Sequence, residues 1–339
     1  MQGTPGPAEA AHVAIRHPLT LVAPCVFWEG IGGREGEVPR MEVEGTGAAA
    51  EEALAALNGV TKSFGATAAL RGVDLAIFRG ELVALLGPNG AGKTTAISLL
   101  LGLRRPDRGT ARLFGRDPRL PAARSPIGAT PQDTGFPLTL SVAEVLDLVR
   151  AHYPRPLPRA EVLGRFGLAD LADRQTGGLS GGQKRRLAVA LAFAGDPRLV
   201  FLDEPTTGLD VEARRLVWRA VREYVASGGT VLVTTHYLEE AEALASRVVV
   251  LARGKVVADG SVAAIKARVG LRRVCFQAPQ LPALPTLAHV ERQDDTYHLL
   301  VADADALVRE LVWQGVPFRN LEVAPVSLED AFVAVTEGG

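Results

Sequence analysis

The chain has 339 residues, of which 47% are hydrophobic and 22% charged, and its net charge is −1. This length suits one large domain plus a smaller one with a sizeable core, and the chain as a whole has no basic character, whereas a duplex binder usually carries a basic face, so nucleic acid is not expected as a partner, local patches aside. Two cysteines, Cys25 and Cys275, lie far apart with no CxxC pair, which excludes a zinc ribbon or disulfide framework as the organising device and fits a reducing setting.

Residues 1–52 are rich in Gly, Pro, Ala and Glu and show no sustained period, so a mostly disordered extension is predicted. The best apolar run, Leu19–Trp28, is interrupted by Pro24 and falls short of the roughly 18–20 residues that cross a bilayer. Any membrane crossing therefore falls to another chain. Met41 follows a Pro-Arg pair and precedes an acidic stretch, which motivates the hypothesis that translation starts there. An intact peptide from residues 1–40, detected by mass spectrometry of the native protein, would sink it.

From 53 to 270, short apolar strands alternate with amphipathic helices. Strands are predicted at Ala55–Val60, Leu82–Leu86, Leu199–Asp203, Thr230–Thr234 and Arg247–Ala252. Helices are predicted from Lys93 to about Leu103, at Gly182–Ala194 and at Val211–Ala226. This is α/β organisation around a mixed, mainly parallel sheet. Between about 137 and 178 the chain turns helical (Val142–Ala151, Arg159–Phe166), which reads as a helical insert. Residues 271–339 read as a small α+β domain. Strands at Arg273–Gln277, Tyr297–Val301 and Phe318–Val323 alternate with a helix at Ala304–Val312, capped by Asp303, and a last helix opened by Ser327 and Asp330.

The strongest local signal is Gly87-Pro88-Asn89-Gly90-Ala91-Gly92-Lys93-Thr94-Thr95, the phosphate-loop pattern in its strand–loop–helix context. Glycines let the backbone curl so that its N–H groups face phosphate oxygens, and the helix N-terminus adds favourable partial charge. In this pattern Lys93 reaches the β- and γ-phosphates and the Thr94 hydroxyl ligates Mg²⁺. Leu199-Val200-Phe201-Leu202-Asp203-Glu204 is a continuous apolar strand ending in two acids, at the strand end where α/β sheets place ligands. Asp203 is expected to hold Mg²⁺ and Glu204 to polarise the attacking water. Leu179-Ser180-Gly181-Gly182-Gln183 opens a second phosphate-suited helix, with Ser180 as its N-cap. A single γ-phosphate is gripped by both helix starts if two subunits pack head to tail. Lys184–Arg186 read as a solvated helix face.

Taken in order, the loop at 87–95, Gln132, Leu179–Gln183, Leu199–Glu204, Gly208-Leu209-Asp210 and His236 resemble the ATP-binding subunits of the ABC transporter superfamily across residues 55–260. The resemblance implies a P-loop NTPase core of the ABC type, with ATP and Mg²⁺ as cofactors and hydrolysis as the activity. It implies that Gln132 senses Mg²⁺ and water, His236 contacts the γ-phosphate, and Asp210 crosses to the other subunit with Ser180, Gly181, Gly182 and Gln183. Phe64 resembles the aromatic that stacks on adenine; a core Phe is the competing reading. Val326-Ser327-Leu328-Glu329-Asp330-Ala331-Phe332 and Gln183-Lys184-Arg185-Arg186-Leu187 are similar to the drug-exporting, daunorubicin-resistance branch. The implied partners are a second copy or a similar subunit and a separate membrane-spanning permease. The implied place is the cytoplasmic face of the cell membrane. The alternatives are an importer ATPase and a soluble ABC-type ATPase of translation or DNA repair, although paired cassettes, zinc fingers and long coiled coils are not visible.

Overall fold

The computed structural model describes residues 52–130, 135–235, 237–281 and 287–337. The chain opens with β1 (Ala55–Phe64) and β2 (Thr67–Ile77), an antiparallel pair, followed by β3 (Leu82–Leu86) and α1 (Lys93–Leu100). β4 (Arg108–Leu113), α2 (Pro121–Arg124) and β5 (Ile127–Thr130) come next. α3 (Val142–Arg150) and α4 (Arg159–Arg165) lead to α5 (Gly181–Phe193), β6 (Leu199–Asp203), α6 (Val211–Ala226) and β7 (Thr230–Thr234). α7 (Leu238–Leu244), β8 (Arg247–Ala252), β9 (Lys255–Gly260) and α8 (Val262–Val269) follow. The remainder is β10 (Arg272–Gln277), β11 (Leu287–Gln293), β12 (Thr296–Val301), α9 (Ala304–Trp313), β13 (Arg319–Pro325) and α10 (Leu328–Glu337).

The central sheet has the order β5-β6-β7-β3-β8-β9, with every pairing parallel except β8 with β9. Every residue of β3, β6 and β7 is buried, which explains why these strands read as unbroken apolar runs rather than alternating ones. The pleat then divides them. Leu82, Ala84 and Leu86 of β3 and Val200 and Leu202 of β6 enter one core, shared with α3 to α6. Val83 and Leu85 of β3 and Leu199 and Phe201 of β6 enter another, shared with α1 and the antiparallel sheet β2-β1-β4. A parallel sheet covered on both faces has one open place for chemistry, the carboxyl ends of its strands.

β5 passes so close to α5 that a Cβ on Gly128 would lie 1.7 Å from the Ala192 carbonyl oxygen, so only glycine fits there. α3 begins at Ser141 with a complete capping box to Glu144, which fixes the start of the helical segment.

The third sheet, β11-β12-β10-β13, is wholly antiparallel. Val274, Phe276, Leu299 and Val301 on its inner face pack against Ala304, Leu307 and Leu311 of α9. Asp303 caps α9 by accepting from Ala306 N at 2.8 Å. Ser327 and Asp330 form the reciprocal pair that opens α10. α10 then packs back onto the core of the central sheet. Leu328 and Ala331 are fully buried in the core shared with α5 and β7, and Glu242 of α7 accepts the Leu328 N–H at 2.9 Å.

Candidate active site

The loop between β3 and α1 is shaped by backbone conformation. Gly90 and Gly92 have φ of 79° and 109°, in the left-handed region that favours glycine. A Cβ on Gly92 would stand 2.5 Å from the Ala69 carbonyl oxygen, so the loop also needs the missing side chain. No side chain caps α1, so the N–H groups of its first turn face the loop. Lys93 is buried, and its Nζ donates to the carbonyls of Gly87 (2.6 Å) and Pro88 (3.1 Å). Burial lowers the Lys93 pKa, while Glu204 and Asp203 oppose that shift electrostatically. Asn89, Gly90, Gly92, Lys93, Thr94 and Thr95 line one open cavity of about 650 Å³ together with Ala69 and Glu204.

The two acids at the end of β6 are held differently. Asp203 is buried, and its Oδ1 accepts the Thr234 hydroxyl at 2.5 Å. The same Thr234 oxygen accepts Glu204 N at 3.0 Å, so one hydroxyl serves both residues. Glu204 has a φ of 51°, uncommon for a residue with a side chain. Its Oε2 accepts Thr207 Oγ1 at 3.2 Å. Arg185 of α5 spans the turn: Nη2 donates to the carbonyls of Asp203 and Glu204, the latter at 2.6 Å, and Nε to that of Pro205 at 3.3 Å.

This corrects one sequence expectation. Lys184, Arg185 and Arg186 do not form a solvated face, because all three are half-buried and Arg185 reaches inward to the β6 turn. The apolar pattern could not reveal it, since a guanidinium satisfied by carbonyls leaves no hydrophobic signature.

Ser180 caps α5 as expected. Its Oγ accepts Gln183 N at 3.2 Å, and Gln183 Oε1 accepts Ser180 N at 2.9 Å. The cap uses an acceptor lone pair, so the hydroxyl proton can still donate to an anion. Gly181 is exposed and Gly182 half-buried. Asp210 is exposed and caps α6 through Ala213 N at 2.8 Å. Phe64, at the end of β1, is 40% exposed, which removes the core reading; the Arg104 guanidinium lies 4.8 Å from its ring centre. Phe64 does not line the cavity of Lys93 and Glu204. Gln132, His236 and the extension at 1–51 lie outside the described residues.

Sequence reasoning missed a buried carboxylate beside this site. Glu240 Oε2 accepts the hydroxyls of Thr206 (3.0 Å) and Thr235 (3.4 Å), and Arg214 Nε lies 3.1 Å from its Oε1. The Arg214 guanidinium stacks over Tyr237 at 4.2 Å. This cluster ties the turn after Glu204 to both sequence neighbours of position 236.

The phosphate-loop geometry, with a lysine and two acids at the ends of parallel strands, defines a P-loop nucleoside triphosphatase. Comparison with known proteins narrows the class. The sequence model of the ABC transporter family matches residues 70–207. Nod factor export ATP-binding protein I of Burkholderia orbicola (strain AU 1054) is 38% identical over 291 residues, covering 82% of this chain and 95% of the relative. Daunorubicin/doxorubicin resistance ATP-binding protein DrrA of Streptomyces peucetius is 42% identical over 300 residues, covering 82% and 91%. A solved ATP-binding subunit of an ABC transporter aligns with a TM-score of 0.59 at 30% identity, covering 64% of this chain and 93% of that one. A dimeric ATP-binding cassette in a post-hydrolysis state, bound to ADP and Pi, aligns with a TM-score of 0.56 at 27% identity, covering 61% and 98%.

The chain belongs to the ATP-binding proteins of the ABC transporter family. It is an ATP-binding and ATP-hydrolysing subunit, of a kind that forms dimers and works with the permease components of a membrane transporter. No helix among the described residues is long and apolar enough to cross a membrane.

Proposed function

We propose that this chain powers export of a drug-like or other small lipophilic compound through a separate permease, acting as a homodimer, or beside a similar subunit, at the cytoplasmic face of the membrane. The names of the relatives support export: one serves Nod factor export and another daunorubicin and doxorubicin resistance. Residues 53–270 act as the ATP-binding domain, with about 137–178 as its helical insert. Residues 271–339 act as an accessory domain, and 1–52 as an extension.

One observation carries the catalytic reading: Lys93, Thr94 and Glu204 face one cavity above the buried Asp203. Gly87, Pro88, Asn89, Gly90, Ala91, Gly92 and Thr95 shape the loop that receives the triphosphate, and Lys93 leaves its carbonyl partners for phosphate oxygens. Phe64 stacks on adenine, consistent with its exposure. The hydroxyl of Thr94 and the carboxylate of Asp203 are hard oxygen donors of the kind Mg²⁺ takes, with phosphates and water supplying the rest; Gln132 completes that set. Mg²⁺ supplies neutralisation of phosphate charge. Glu204 orients the attacking water and His236 steadies the γ-phosphate. Ser180, Gly181, Gly182, Gln183 and Asp210 of a second copy close over the γ-phosphate. Its loss on hydrolysis lets the dimer open.

The test is the pair of wild type and Glu204→Gln. The variant is expected to lose ATP turnover by about a hundredfold or more while still binding ATP, and to accumulate as an ATP-bound dimer. Equal turnover, or a monomer under those conditions, overturns the reading.

A further inference from the structure

We propose that Arg185 is a positioning residue for Glu204, so that the helix gripping the partner's nucleotide also sets the acid of its own site. The inference rests on the roles given above to Glu204 and to the start of α5, and deepens them.

Three facts about the β6 turn lead there. Glu204 sits at a φ of 51°, a backbone conformation that a residue with a side chain holds only when its surroundings impose it. The N–H of Glu204 is held by Thr234, through both its hydroxyl oxygen at 3.0 Å and its carbonyl at 3.1 Å. The carbonyls on the other side of the turn, those of Asp203, Glu204 and Pro205, all accept from Arg185. The peptide units that carry the acid are therefore clamped between a strand neighbour and a side chain of α5.

The chemistry of the clamp is specific. A guanidinium is a flat fork of five donors and stays charged at every accessible pH, so it can satisfy three carbonyls that face one way. A lysine ammonium is a single compact donor point and cannot span the same turn. Arg185 lies five residues after Ser180, within the second turn of the helix that Ser180 and Gln183 cap. A rigid helix transmits displacement of its first turn to its second. Seating of the α5 tip on the partner's triphosphate thus fixes the position from which Arg185 holds the Glu204 turn. Arg185 touches neither nucleotide in this arrangement. Its effect runs through the backbone of the acid.

The test uses the full-length chain. Arg185→Ala is expected to lower kcat for ATP by about tenfold or more, with KM and nucleotide affinity within about twofold of wild type. Arg185→Lys is expected to recover part of the loss. Circular dichroism establishes that each variant is folded, and Arg185→Gln, which keeps two donors, replaces Arg185→Ala if that variant does not fold. Mixed dimers of differently tagged copies then separate an effect on the copy's own site from one on its partner's. Placing Arg185→Ala in the same copy as Glu204→Gln, opposite a wild-type copy, is expected to cost nothing beyond Glu204→Gln alone. Placing the two changes in opposite copies is expected to reduce the remaining turnover by the factor seen for Arg185→Ala. An unchanged kcat in Arg185→Ala, a rise in KM alone, or equal losses in the two mixed dimers overturns the inference while leaving the role of Glu204 intact. Wild-type turnover in the Glu204→Gln dimer removes instead the reading on which the inference stands.

Discussion

Glu242 of α7 accepts the backbone N–H of Leu328 at 2.9 Å, and this bond fastens α10 to the helix that follows β7. The second carboxylate oxygen meets Lys266 of α8 at 2.7 Å, so three helices converge on one side chain. Burial opposes the ionisation of Glu242, but the hydrogen bonds from Lys266 and Leu328 outweigh it and hold the pKa below the ordinary glutamate value. A depressed carboxylate pKa adds stability that is complete above the unfolded value of about 4.3 and is lost as pH falls through the lower folded value. Glu242→Gln keeps an acceptor for Leu328 but removes the charge facing Lys266. It should be less stable than wild type in urea at neutral pH, with the gap narrowing under acid. A gap that does not narrow counts against the assignment.

The apolar half of the same junction contributes more to its stability. Leu328→Ala removes a fully buried side chain and should cost about 2–5 kcal/mol, by transfer plus the cavity left behind. Urea denaturation followed by circular dichroism measures this. A loss under about 1 kcal/mol would mean that the helix stays docked without its anchor.

Gly92→Ala tests the phosphate loop without touching a charge. The new Cβ would meet the Ala69 carbonyl and the Leu70 side chain at 2.5 and 2.7 Å while forcing a side chain into a φ of 109°. The loop must shift, so ATP affinity should fall by at least about tenfold, or 1.4 kcal/mol. Equilibrium binding of a fluorescent ATP analogue reads this directly, and unchanged affinity would show that the loop tolerates a wider path.

Phe64→Ala should weaken ATP binding by about five- to tenfold, the scale of one aromatic stacking contact, with kcat at saturating ATP unchanged. Phe64→Trp should keep the affinity. The Arg104 guanidinium over the ring gives a further reading: loss of the aromatic also frees that cation from its platform. An effect confined to kcat would remove Phe64 from the binding role.

What the amino-acid order revealed depended on how local each feature is. The strand–loop–helix at 82–100 and the helix Val211–Ala226 were legible because their signals are contiguous. The cap at Ser180 and the reciprocal pair of Ser327 with Asp330 were legible for the same reason, whereas the return bond of Gln183 to Ser180 was not anticipated. β2 was not anticipated: Gly72, with a φ of 75°, interrupts its alternation, and its partner β1 carries register shifts that blur the pattern. β4 has one fully buried residue, Leu113, and five that are exposed or half-buried, so nothing apolar marks it. α1 stops at Leu100 rather than near Leu103 because Gly102 adopts φ 69° and ends the helix. Around the site, Thr234, Arg185 and Glu240 stayed hidden because their partners lie many positions away along the chain. Polar residues of this sort show their purpose only when the sheet brings distant strand ends together.

Leu328 and Ala331 are sealed into the same apolar layer as Leu187 of α5 and Val231 of β7. A ribosome reaches codon 331 long after it has made those earlier partners. Until then the nascent chain exposes the apolar seam along α7 and α8 against which α10 packs. Synthesis itself therefore has a vulnerable interval, and a message truncated within the segment from β10 to β13 would yield a product with that seam permanently open, a substrate for chaperones and proteases rather than a smaller working subunit.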